Sequence, residues 1–320
     1  MDRTEPSSPV TDLERAVLEC QGRDYNLEGI PMFLVLEGSA PSPGGAVGGR
    51  LDRLVENYLG RLVADGEQSS LLDAATALEV LAARHFDPED GEGPVTTTVA
   101  LGRHAAGPLV RTINFHNTAR AQSVEVERQL LGVGERYRSV DEDDLDGLLS
   151  GKEWQGRKPP LIPVLYEGYR NNYEVALPLL ERAGLRGWFF IPTSFIDTPV
   201  PEQYAFARAH HIGLTDDDYA GGRCAMTWDE LRDVVARGHV VACHTATHCE
   251  IVDVKTPEDV QRELIGSRQR LEEEFGREVR TLAWLSGAPY GENERVDAAV
   301  REAGYQVVFS NAKIQRLPKA

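Results

Sequence analysis

The chain has 320 residues, enough for one large domain or a medium domain with an extension. Its 34 Lys and Arg against 51 Asp and Glu give a net charge of −17, which argues against nucleic acid or an anionic membrane surface as partner. No apolar run reaches the roughly 18 residues of a membrane span, and the composition is that of an ordinary soluble globular protein.

Met1 to Pro9 is polar and lacks an apolar signal-peptide core. Residues 1–9 are therefore expected to be a frayed terminus and the protein cytoplasmic. The cysteines Cys20, Cys224, Cys243 and Cys249 form no C-x-x-C pair, and reduced thiols are expected. Cys243 and Cys249 read as buried small hydrophobes rather than zinc ligands.

Residues 10–108 read as an α+β extension. Ile30 to Leu36 has the pattern of a short buried strand, and Pro41 to Gly49 is a Gly/Pro loop. Leu51, Leu54, Val55, Tyr58, Leu59 and Leu62 share one helical face, and Ser70 caps a second helix to about His85. Asp87 to Pro94 breaks the pattern, Thr96 to Leu101 is another candidate strand, and His85 and His104 read as surface or packing residues. The stretch carries no chemical motif. Only Ala105 to Pro108 separates it from the region that begins at Leu109, so it is expected to pack on that region rather than hang from a tether.

From residue 109 to 320 strands and helices alternate. Strands are expected at Val110–Phe115, Arg136–Val140, Leu161–Leu165, Gly187–Ile191, His239–Cys243, Arg280–Leu285, Tyr305–Phe309 and Ile314–Leu317. Helices are expected at Ser123–Val133, Asp141–Leu149, Asn171–Ala183, from Thr227 with Glu230 as a capping box, from Thr256-Pro257 to about Phe275, and at Glu294–Ala303. Such units predict an α/β fold with a parallel sheet, in a number that suits a (β/α) barrel of seven or eight strands.

The densest chemistry lies at Val240-Val241-Ala242-Cys243-His244-Thr245-Ala246-Thr247-His248. An apolar strand ends in two histidines four residues apart, and neutral imidazole is the commonest metal ligand. By itself H-x-x-x-H is as readily a polar loop. Polar groups also follow other strands: Phe115-His116-Asn117, Tyr166-Glu167-Gly168, Pro192-Thr193-Ser194 and Ser286 to Gly291. Convergence at the C-terminal strand ends is where barrel enzymes place their chemistry.

Four ordered blocks resemble the polysaccharide deacetylase family, the NodB-homology fold: Leu161 to Tyr173, Phe189 to Thr193, Gly238 to His248, and Ala288-Pro289-Tyr290-Gly291. The resemblance covers about Val110 to Leu317. It implies a distorted (β/α) barrel of seven or eight strands and one divalent metal held by an aspartate and two histidines. It also implies a second aspartate as base toward water attacking an N-acetyl carbonyl. His244 and His248 match the histidine ligands, with Zn²⁺ the expected ion. Where the family has Asp-Asp-Gly, this chain has Tyr166-Glu167-Gly168, so Glu167 falls on the ligand position and Tyr166 on the base position.

Those departures bear on mechanism. A tyrosine with an ordinary pKa of about 10 is a proton donor or ligand at neutral pH, not a ready base. Gly287 stands where many members carry arginine, and no histidine follows His248 to protonate a leaving amine. His116, Thr193 and Tyr290 are candidates to contact substrate, and the His210-His211 pair sits in a solvated loop or a lid.

Three readings stay open. The first is a metal-dependent hydrolase of a non-peptide C–N bond in an intracellular sugar or small metabolite, with Glu167 in a catalytic role. The second is a lyase, cyclase or epimerase on the same barrel, with Tyr166 as acid/base. The third is a binding protein without catalysis. The expected partner is a small-molecule or sugar substrate, with no nucleic acid and no membrane; homo-oligomerisation is left open.

Overall fold

A computed structural model describes residues 30–37 and 109–318, apart from 153, 159, 215–218, 220–221, 292 and 311–312. The loop, helices and strand expected between residues 38 and 108, together with Cys20, His85 and His104, lie outside the described residues.

The strands are β1 (Ile30–Glu37), β2 (Leu109–Phe115), β3 (Arg138–Ser139), β4 (Pro160–Leu165), β5 (Trp188–Ile191), β6 (Val240–Cys243), β7 (Thr281–Ala283), β8 (Val307–Phe309) and β9 (Lys313–Arg316). They form one sheet in the order β2-β1-β9-β8-β7-β6-β5-β4-β3, and a further pairing of β2 with β4 closes it into a ring. β3 lies alongside the start of β4, with Arg138 opposite Pro160. The fold is thus an α/β distorted barrel, as expected.

Two strands depart from the all-parallel expectation. β1 runs antiparallel to β2 and β9 antiparallel to β8, while β1 and β9 are parallel to each other. Only residues 310–312 separate β8 from β9. A parallel crossover needs a dozen or more residues, so a link this short can join only antiparallel neighbours. The strand expected at Ile30 to Leu36 is present and lies in the barrel sheet itself, pairing Ile30 with Asn114 and Val35 with both Leu109 and Lys313.

Helices cover the sheet: α1 (Ser123–Arg136), α2 (Glu142–Leu149), α3 (Leu177–Arg182), α4 (Thr193–Asp197), α5 (Gln203–Ala209), α6 (Trp228–Ala236), α7 (Pro257–Val260), α8 (Ser267–Phe275) and α9 (Glu294–Glu302). On α1, Val126, Leu130 and Val133 face the core while Val124 and Leu131 are exposed, as the 3.6-residue period requires. The Thr227/Glu230 capping box opens α6, and Thr256 with Asp259 caps α7.

Two expected helices are interrupted. Asn172–Ala176 and Gln261–Gly266 are wide turns of π geometry, each inserted before an α segment. The short helices α4 and α5 were not anticipated, and β3 is shorter than the expected Arg136–Val140 because α1 runs on to Arg136.

β4, β5 and β6 are buried along their whole length, which explains their unbroken apolar sequence. Cys224, Cys243 and Cys249 are buried free thiols, Cys243 and Cys249 with pKa pushed up by burial, in keeping with a packing role. Among the described residues, no helix is long and apolar enough to cross a membrane.

Candidate metal centre

Each polar segment at the barrel mouth hangs from the end of a strand. His244 follows β6 directly, and its N–H donates to the carbonyl of Ile191 on β5 at 3.0 Å, continuing the ladder by one step. Tyr166 follows β4 in the same way, donating to Phe115 on β2 at 2.9 Å. Beyond these points the backbone turns sharply. Gly168 N–H bonds back to Tyr166 O at 2.9 Å around Glu167, whose φ is 64°. Thr245 (63°) and His248 (59°) are also left-handed, as is Ser286 (64°) after β7. Non-glycine residues in that region cost on the order of 1–3 kcal/mol each and cluster where surroundings fix them for function.

The result is a convergence of Glu167, His244 and His248, all buried, with one ligand atom from each lying within 4.8 Å of the others. Glu167 Oε1 is 3.7 Å from His244 Nε2 and 3.4 Å from His248 Nε2. The other ring nitrogens are committed. His244 Nδ1 is 2.9 Å from the carbonyl of Ala283, and His248 Nδ1 is 2.7 Å from that of His210. A carbonyl only accepts, so each Nδ1 carries the proton and each Nε2 turns a lone pair toward Glu167.

That donor set fits a divalent ion. Glu167 Oε2 and His248 Nε2 are buried with no hydrogen-bond partner. An unsatisfied buried polar group costs about 1–3 kcal/mol, and one cation facing all three residues removes the penalty. Two nitrogens and one oxygen also match the ligand count of an open zinc site.

The electrostatics agree. Burial opposes ionisation of Glu167, yet His116, His244 and His248 together hold its carboxyl well below the usual range. Burial lowers the pKa of His244, keeping it neutral and able to ligate. Tyr166 is pushed the other way, well above the ordinary phenol, by burial and then by the charge of Glu167. At neutral pH it therefore keeps its proton.

Tyr166 sits in an aromatic nest. Its ring centroid is 5.3 Å from those of His116, Phe190 and His244, with the His116 ring stacked on it. His116 is thus beside Tyr166 and within electrostatic reach of Glu167. Thr193 is buried next to the histidine loop, and its N–H donates to Thr245 O at 3.3 Å. Tyr290 is anchored on β9, its N–H and C=O both bonded to the Gln315 side chain at 2.8 and 3.0 Å.

Three contributors escaped sequence reasoning. The carbonyls of Ala283 and His210 orient the histidines, and a main-chain oxygen leaves no trace in residue type. The third is Glu263, 1% exposed, whose carboxylate binds the loop between the two histidines.

Residues 165–308 match the family model described as polysaccharide deacetylase, a stretch that contains Glu167, His244 and His248. The Bacillus subtilis protein named "Putative polysaccharide deacetylase YxkH" is 21% identical over 200 residues, 62% of this chain and 61% of the relative. The chain thus spans less than two thirds of that relative's length. Among solved structures, the Streptococcus pyogenes deacetylase PplD in complex with acetate is similar at 14% identity and TM-score 0.47, covering 61% of this chain and 80% of that one. IcaB from Ammonifex degensii is similar at 20% identity and TM-score 0.44, covering 65% and 85%.

Proposed function

We propose that the chain is a metal-dependent hydrolase that removes an N-acyl group, an N-acetyl group above all, from a sugar or small metabolite. The single observation that carries this reading is the buried Glu167–His244–His248 convergence, with both Nε2 atoms within 3.7 Å of Glu167 Oε1 at the barrel mouth. The family match over residues 165–308 supports the reaction class.

Glu167, His244 and His248 would hold the ion, most simply Zn²⁺. When bound, such an ion supplies Lewis-acid polarisation and lowers the pKa of water to about 7. The chain's own groups do the rest. Glu167 neutralises part of the ion's charge. Tyr166, kept protonated by burial and by Glu167, donates a hydrogen bond to the oxygen that gains charge as the carbonyl is attacked. It replaces the expected base with a donor. His116, stacked on Tyr166, would take the proton that the attacking water gives up and hand it to the leaving amine, the task for which no later histidine exists. Its role is thereby larger than the substrate contact expected from sequence.

The test is acetate release from N-acetylated sugars and N-acetyl amines by Zn²⁺-loaded protein. Tyr166→Phe keeps the ring packing and removes only the donor, so it should retain metal and lose roughly 10²–10³-fold in turnover. Full turnover in Tyr166→Phe would remove the phenol from the mechanism. One observation favours the second reading: a phenol held protonated at neutral pH suits general-acid chemistry in a lyase or epimerase. Bound metal, no acetate release from any acyl substrate, and conversion of a non-acylated sugar would decide for it.

A further inference from the structure

On the reading that Glu167, His244 and His248 hold a divalent ion, we propose that Glu263 is the positioning residue of the centre. Its carboxylate fixes the backbone between the two histidines and so sets their convergence.

Glu263 lies in the wide turn Gln261–Gly266, on the helical segment behind the histidine loop, and is 1% exposed. Its Oε2 accepts from the backbone N–H of Ala246 at 3.1 Å and of Thr247 at 2.9 Å. Its Oε1 accepts from the Thr247 hydroxyl at 2.9 Å and from Arg262 Nε at 2.7 Å. An ionised carboxylate offers about four acceptor sites, and here all are used. Both oxygens of Glu263 are thereby engaged by the loop and by Arg262.

What it holds is strained. Thr245 and His248, on either side of Ala246 and Thr247, both have left-handed backbone. Such conformations persist only where neighbours over-determine them. Successive N–H groups in such a turn form a concave anion nest, and Glu263 is the anion this chain supplies. The loop itself is buried apart from Thr247, and a cleft of about 410 Å³ lies beside it, lined by Thr247, His248, Glu263, Arg262 and the His210-His211 turn. The Arg262 side chain is 53% exposed, so the ion pair alone gives little reason to bury a carboxylate. The loop contacts give that reason.

The experiment reads Co²⁺ affinity by chelator competition, the Co²⁺ visible absorption spectrum, and the thermal midpoint of the metal-free protein. Glu263→Gln cannot accept both N–H groups and the hydroxyl while keeping the Arg262 contact. We expect folded metal-free protein, a 10–100-fold loss of Co²⁺ affinity, and an altered spectrum. Thr247→Val removes one contact at constant shape and should lose roughly 3–10-fold in Co²⁺ affinity, with an altered spectrum. A purely structural role would lower the metal-free midpoint and leave affinity and spectrum of the folded protein as in wild type; that result overturns the proposal. Should Glu263→Gln fail to fold, Thr247→Val decides, and unchanged affinity there overturns it. Wild-type protein that takes up no Co²⁺ at all would instead bring down the metal reading itself, and this inference with it.

Discussion

His248 donates its Nδ1–H to the main-chain carbonyl of His210 at 2.7 Å, which ties the imidazole that faces Glu167 to the C-terminal end of α5. The His210-His211 turn therefore fixes which nitrogen of His248 faces Glu167. The turn is partly solvated, with His211 exposed, as the solvated-loop reading expected, and it takes on this backbone task as well. Because the carbonyl does the work, the side chain of His210 is dispensable for it. His210→Ala should lose the ring contact with Phe206 (centroids 4.2 Å apart) and keep the metal, whereas His248→Ala should lose it. Metal content per chain measured on the two variants distinguishes them. Loss in both would mean that the imidazole of residue 210, not its carbonyl, supports the centre.

A second prediction concerns the strand from the N-terminal region. β1 sits between β2 and β9, so a chain beginning at residue 109 would leave two strand edges unpaired at the closure of the ring. Exposed edges template aggregation. We expect residues 109–320 expressed alone to be largely insoluble or to unfold at a markedly lower temperature than the full chain. A soluble 109–320 fragment with the full chain's thermal midpoint would show that β1 contributes nothing to the barrel.

The pH dependence of stability should carry a signature of His239. Gly187 N–H donates to His239 Nδ1 at 2.9 Å, joining the start of β5 to that of β6, and this contact requires an unprotonated Nδ1. Burial lowers the His239 pKa below its ordinary 6.5. Between those two values the unfolded chain binds the proton and the folded one does not, so stability falls as pH drops through the ordinary value. Thermal midpoints measured from about pH 7 to about pH 5 should decline less steeply in His239→Gln than in wild type. Equal slopes would contradict the assignment.

The sequence showed the barrel because its central strands β4, β5 and β6 are wholly buried: continuous apolar runs such as Trp188–Ile191 and Val240–Cys243 need no tertiary knowledge to be seen. The two histidines after a strand were visible as a candidate pair, while Glu167 was added as third ligand by the family resemblance of Tyr166-Glu167-Gly168. The reversed strands β1 and β9 were less legible, because direction depends on which edge a strand meets and not on its pattern. The wide turns at Asn172–Ala176 and Gln261–Gly266 have ordinary helical composition, and only packing selects them. The place of His116 beside Tyr166 was hidden for a related reason: the two directly follow neighbouring strands β2 and β4, which the chain joins only after α1, β3 and α2.

The most direct measurement is metal content by elemental analysis of protein purified without added metal, followed by Zn²⁺ titration of chelator-treated protein. The convergence of Glu167, His244 and His248 predicts about one equivalent per chain, a rise in thermal midpoint on binding, and loss of both in His244→Ala. Uptake below about a tenth of an equivalent under saturating Zn²⁺, or full uptake by His244→Ala, would contradict the account at its centre.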